Sequence, residues 1–305
     1  MERTQADQSR QSTVAQAHYP FHGWLGVALV VLFWSVNWAG YGLRTYWAFF
    51  PLWLGYCLAM DGLVRLRTGT SLLTRSWKEY VGLFLVSAPI WWAFEALNAR
   101  THNWVYVGAE GFSAGSYAFW TTLSFTTVVP AVFGTAELMA SLGFVKRLKP
   151  GFVIRPDKRT TVSFFVLGWV MLALLLAWPR VFFPFIWFSL CFILEPLNVW
   201  LGNRSLTEWT GKGDWRPVLA LWLGVLLTAF FWEMWNFYSY PKWVYHVAWG
   251  NWLHVFEMPL LGYGGYLPFA LELYAFYHII MGLLGKGQTN YVRLEAEETL
   301  NEEPA

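Results

Sequence analysis

Charge is what this chain most lacks. Asp, Glu, Lys and Arg make up 13% of its 305 residues, about half the usual share of a soluble domain. Cysteine is nearly absent: Cys57 and Cys191 are the only two, too few for a disulfide framework or a Cys-based zinc site. The net charge of +2 carries no nucleic-acid signature. No phosphate-binding loop, dinucleotide fingerprint or nucleophile elbow is present. Residues 1–18 are polar and the first apolar run is of spanning length, which is not the pattern of a cleaved leader.

What the chain has is apolar length. Hydrophobic residues are 56% of the total, with 22 Trp, 15 Tyr and 25 Phe. Runs near the ~20 residues a bilayer requires fall at about 23–43, 46–64, 79–98, 115–140, 160–179, 181–201, 217–237 and 262–285. The fold class is therefore an all-α polytopic membrane bundle of about eight spans in contact with the lipid bilayer. Segments 99–114 and 238–261, rich in Trp, Tyr and Gly, read as interfacial or re-entrant structure. Assigned to alternate sides, seventeen of the 21 Lys and Arg fall on the side of both termini, and Arg44, Arg100, Arg180 and Lys242 on the other. The positive-inside rule then places both termini in the cytoplasm, as in a bacterial inner-membrane protein.

One pattern occurs twice. Phe94-Glu95-Ala96-Leu97-Asn98 is followed by Trp104-Val105-Tyr106, and Trp232-Glu233-Met234-Trp235-Asn236 by Trp243-Val244-Tyr245. At an offset of 134, Trp53, Cys57 and Asp61 match Trp187, Cys191 and Glu195. These matches imply two parallel four-span repeats, 23–143 and 160–285. A polar tail (1–22), a basic linker (144–159) and an acidic disordered tail (286–305) complete the chain.

A carboxylate inside a hydrophobic span is costly, which makes it a candidate functional group. Glu95, Asn98, Trp104, Tyr106, Trp232, Asn236, Trp243, Tyr245 and Tyr263 form the candidate ligand site. Each Asn stands one turn from its Glu, where it could orient the acid. Hydrogen bonds that only join the two halves are the competing reading, and an aromatic belt is the competing reading for the Trp and Tyr residues. Glu233, Glu257 and Glu272 are the candidate catalytic acids, because the second half adds the run from Tyr245 to Glu272. His246, His254 and Glu257 follow no common metal-ligand spacing, and no metal or other cofactor is assigned. Asp61 and Glu195 read as salt-bridge partners of the neighbouring basic loops.

These halves, with the stretches Phe256-Glu257-Met258-Pro259-Leu260-Leu261-Gly262-Tyr263 and Pro268-Phe269-Ala270-Leu271-Glu272, resemble a bacterial multi-span family of uncharacterised function. Short pieces, mostly within 229–276, are similar to integral-membrane carotenoid hydratases and lycopene cyclase domains. That resemblance implies acid–base chemistry on an isoprenoid or carotenoid-like lipid: a Glu that keeps its proton protonates a double bond, and aromatic walls stabilise the cation. A transporter, or a subunit that docks lipid or pigment in a larger complex, is the alternative. Reporter fusions at Gly108 and Gly250 should report the outer side, and at Gly151 and Gly211 the inner side. An outer-side signal at Gly151 would contradict this topology.

Overall fold

The computed structural model describes residues 18–40 and 45–295. Arg3, Arg10, Arg44 and the acidic residues from 296 onward lie outside the described residues. Among the described residues, eight helical segments are long and apolar enough to cross a membrane: 21–39, 46–68, 77–101, 114–140, 158–177, 179–201, 216–237 and 260–283. The chain is an all-α polytopic bundle.

In chain order the first half holds α1 (Phe21–Ala39), α2 (Phe49–Thr68), the one-turn α3 (Leu72–Arg75), α4 (Trp77–Thr101), β1 (Trp104–Val107), α5 (Ala114–Phe125) and α6 (Val128–Ala140). The one-turn α7 (Gly143–Lys146) follows. The second half holds α8 (Lys158–Ala177), α9 (Pro179–Phe182), α10 (Ser189–Leu201), the one-turn α11 (Thr207–Thr210) and α12 (Arg216–Phe237). It ends with β2 (Lys242–Tyr245), β3 (His254–Val255), β4 (Met258–Pro259) and α13 (Tyr263–Leu283).

Local chemistry sets these boundaries. Side-chain oxygens of Ser76, Ser113 and Asp157 accept N–H groups of Glu79, Ser116 and Thr160 and so start α4, α5 and α8. Gly69 and Gly202, at φ 77° and 69°, end α2 and α10 in the left-handed conformation that glycine adopts without strain. The Asp61 carboxylate accepts the Ser71 hydroxyl at 2.7 Å and the Leu73 N–H at 2.9 Å, while His22 Nε2 lies 2.9 Å away. Glu195 accepts the Leu206 N–H at 3.0 Å. Both acids therefore cap a one-turn helix. The expected pairing with basic loops does not form, because buried amides lie closer than any Lys or Arg.

The spans predicted over 115–140 and 181–201 are each broken. The first parts at Thr126–Thr127, which places Pro130 in the opening turn of α6, where its missing N–H costs nothing. Ser87 splints the break, donating to the Phe125 carbonyl at 2.6 Å and accepting the Val129 N–H at 3.0 Å. The second parts at the 3-10 turn Phe183–Trp187. Glu272 covers the exposed start of α10 by accepting the Leu190 and Cys191 N–H groups at 3.1 and 3.3 Å. By contrast, α13 continues unbroken through Pro268.

Helix packing runs α1 on α2, α2 on α6 and α6 on α4 in the first half, and α8 on α10, α10 on α13 and α13 on α12 in the second. The halves join mainly where α6 meets α12. There Gly224 lies so close to Ala136 that an added Cβ would sit 2.7 Å from its backbone N and Cα. Small residues permit such approach between membrane helices. Helices α1 and α8 are mostly exposed, with Val31, Leu32, Val166 and Trp169 outward, as lipid contact requires.

Residues 286–295 depart from the disordered tail that their polarity predicts. Tyr291, Val292 and Leu294 are buried. The Tyr291 hydroxyl donates to the Leu72 carbonyl at 2.6 Å, and the Arg293 N–H to Glu137 at 2.7 Å. Replacing Gly224 with Leu should force α6 and α12 apart and abolish a folded monodisperse protein in detergent. Gly82→Leu, at a position with open space, should leave the melting temperature within a degree or two.

Candidate functional site

Two strand aromatics, one Glu and one Asn form the frame of each half of the site. Along a strand, alternate side chains share a face, so β1 sends Trp104 and Tyr106 the same way. Both reach Glu95 on α4. Glu95 Oε1 accepts the Tyr106 hydroxyl at 2.6 Å and the indole N–H groups of Trp104 and Trp91 at 3.0 Å each. In the second half β2 presents Trp243 and Tyr245 to Glu233 on α12. Glu233 Oε1 accepts the hydroxyls of Tyr245 and Tyr266 at 2.6 Å each, and Trp243 donates its indole N–H to the Tyr245 oxygen at 2.9 Å.

The asparagines do not orient the acids. Asn98 donates to the Trp104 carbonyl at 2.8 Å and accepts the Trp104 N–H at 3.2 Å. Asn236 clamps Trp243 in the same way, at 2.8 and 2.9 Å. Each amide thus imitates one rung of a β-ladder and fixes its strand to the helix that carries the Glu.

The two strands then pair with each other. Trp104 opposes Tyr245, Val105 opposes Val244, and Tyr106 opposes Trp243, in antiparallel register. A local two-fold axis therefore passes through the Val105–Val244 pair. The ribbon roofs a cavity of about 170 Å³ walled by Trp91, Trp104, Trp187, Trp232, Trp243, Phe125 and Phe269. Tyr106, Tyr245 and Tyr266 also line it, and each bonds to one of the two carboxylates. Trp104 stacks on Trp187 at 5.9 Å between ring centroids, and Trp232 on Tyr266 at 6.2 Å.

Electrostatics keep the strand phenols neutral. Burial, then the adjacent Glu95 carboxylate, hold the Tyr106 phenol well above its ordinary range. Burial and Glu233 do the same for Tyr245. Both phenols therefore stay protonated donors at any physiological pH. The two carboxylates differ: Glu233 is fully buried while Glu95 is partly exposed. Among the described residues Glu233 Oε2 has no hydrogen-bond partner.

The other predicted residues are placed elsewhere. Glu272 serves the start of α10 and does not line the cavity, because the interrupted span leaves amides that need an acceptor there. Glu257 forms an ion pair with Lys242, which neutralises it beside the roof. Tyr263 donates to the Val255 carbonyl at 3.2 Å and steadies the β3–β4 hairpin. His254 bonds Asn251 at 2.9 Å, and the His246 N–H donates to the Asn103 carbonyl at 2.7 Å. Among the described residues no group of three His, Cys, Asp or Glu side chains could hold a metal ion.

Three contributors carry a weak sequence signal or none. Trp91 stands four residues before Glu95 on one helix face, which a closer reading of spacing identifies. Tyr266 and Lys242 reach the site only through the tertiary fold. No family model, curated protein or solved structure matches the chain. Asn98→Ala and Asn236→Ala should each free a strand while leaving its Glu–Tyr bond partners present, at a cost of about 1–3 kcal/mol for the orphaned backbone groups. Amide exchange over 104–107 and 242–245 should accelerate in both variants.

Proposed function

We propose that this protein holds an unsaturated, isoprenoid-like lipid beneath the ribbon and moves protons on it through the Glu–Tyr couples. The observation that carries the reading is the cavity itself: most of its wall residues are aromatic, and the phenols among them lead to two buried or half-buried carboxylates. Aromatic faces suit a carbocation, at up to about 2 kcal/mol per contact away from water.

In this reading Glu233 carries the proton. Its Oε1 meets the Tyr245 and Tyr266 oxygens, so a proton carried on Oε1 can pass directly to a phenol. The ligand's double bond takes a proton from the Tyr245 hydroxyl as Glu233 replaces it. The resulting cation loses a proton from a neighbouring carbon to the Tyr106–Glu95 couple; partly exposed Glu95 releases it to solvent, and Glu233 takes up a proton before the next turnover. The net change is an isomerisation or ring closure; no electrons are gained or lost. The two halves act as copies of a duplicated unit, a reading supported by the local two-fold axis of the ribbon and by the parallel order of helix contacts. The chain sits in a bacterial inner membrane with both termini cytoplasmic, on the basic asymmetry alone.

The second reading is a carrier or docking subunit for the same class of ligand. It draws on the break at Thr126–Thr127, which lies half-way along its span and whose flanking residues line the cavity. Broken helices beside a binding site are a feature of transporters.

Solvent extraction of detergent-purified protein, followed by mass spectrometry and absorbance of the extract, tests both. An apolar unsaturated ligand should be recovered. Glu233→Gln should keep the fold and accumulate unconverted ligand, with turnover reduced roughly 10²-fold or more, as for loss of a general acid. The same ligand in the same form from wild type and Glu233→Gln would favour the carrier. Absence of any apolar ligand would contradict both.

A further inference from the structure

A second cleft, of about 250 Å³, opens at the opposite end of the bundle from the ribbon. The end of α2, the one-turn helices α3 and α7, the end of α6 and residues 293–295 form its walls. Arg67, Arg75, Lys146 and Arg293 line it, and among the described residues Glu137 and Glu295 are its acids.

Both acids are already engaged. Glu137 takes the Arg75 guanidinium and the Arg293 backbone N–H. Glu295 takes Arg204 at 2.8 Å and the Trp209 indole N–H at 2.7 Å, and both donors lie outside the cleft. The Arg67 guanidinium is aimed by neutral acceptors alone, donating to the Ser141 hydroxyl at 2.8 Å and the Ser141 carbonyl at 3.4 Å. Lys146 has no carboxylate within ion-pair distance among the described residues. Arg75 lies nine-tenths buried against the Tyr291 ring, and among the described residues its Nε, fully buried, has no hydrogen-bond partner. Among the described residues, Arg67 and Lys146 therefore bring positive charge to the cleft without a carboxylate partner.

We infer that this cleft binds a phosphate group. A guanidinium fork matches phosphate oxygens in shape as well as charge, and Lys146 adds a point charge at the rim. Basic pockets at a membrane surface take lipid headgroups by this chemistry. A headgroup from the adjoining leaflet and a free phosphate would use the same donors. This inference is independent of the ligand under the ribbon.

Thermal unfolding of the full chain in neutral detergent, followed by tryptophan fluorescence, tests it. The probes are phosphatidylglycerol, phosphatidylcholine and inorganic phosphate. A rise in midpoint with phosphatidylglycerol but not phosphatidylcholine identifies a lipid headgroup. A rise with inorganic phosphate as well identifies a site that takes the free ion. Arg67→Gln and Lys146→Gln are exposed changes and should each raise the half-saturating concentration about fivefold. Lys149→Gln, outside the cleft, should change nothing. No midpoint shift with either anionic probe, or a shift that survives both cleft substitutions, would overturn the inference.

Discussion

A carboxylate placed among membrane helices must be given hydrogen-bond partners, and much of this structure follows from how each one is supplied. Asp61, Glu195 and Glu272 accept backbone N–H groups at the starts of α3, α11 and α10. They close helix ends that would otherwise present bare amides to an apolar interior. Glu137 does related work by tying α3 and the irregular segment after α13 to α6. Glu95 and Glu233 are different in kind. Their partners are phenols and indoles, and those side chains line a cavity. A cap needs only an acceptor; these two carboxylates are instead joined through neutral phenols to a cavity.

The ribbon makes the two couples one site. Each strand is four residues long and would not persist alone. Each is instead clamped by an Asn to the helix that bears the Glu, and then paired to the other. The bundle complements this arrangement. Helices α6 and α12 meet at the Gly224–Ala136 approach and form the rigid seam, while α4 and α13 touch sparingly. The aromatic cavity occupies the space left on that looser side. Lys242, the first residue of β2, ties the roof to the β3–β4 hairpin through Glu257.

The spans were legible because bilayer thickness leaves one length scale in the sequence. Predicted runs at 46–64 and 217–237 are observed at 46–68 and 216–237. The repeated Glu and its Trp-x-Tyr partner were legible as well, since period-two spacing puts both rings on one strand face. Pairing of the strands was not, because two tetrapeptides 138 residues apart carry no local signal of contact. The breaks before α6 and α10 were hidden by uninterrupted apolar runs, and only the positions of Ser87 and Glu272 in the fold explain how they are tolerated. For the same reason Glu272 resembled a catalytic acid in the sequence and is a helix cap in the fold. Residues 286–295 read as a polar tail, yet Tyr291 and Leu294 are buried by partners that the sequence places far away.

The central claim is that the two Glu–Tyr couples are held over one cavity by direct pairing of β1 with β2. Cysteines introduced together at Val105 and Val244, in a chain with Cys57→Ser and Cys191→Ser, test it most directly. Oxidation in native membranes should form an intramolecular disulfide in most molecules, and a control pair at Val105 and His254 should not cross-link. Absence of the Val105–Val244 cross-link under conditions that oxidise exposed thiols would contradict the ribbon, and with it a single site shared by both halves.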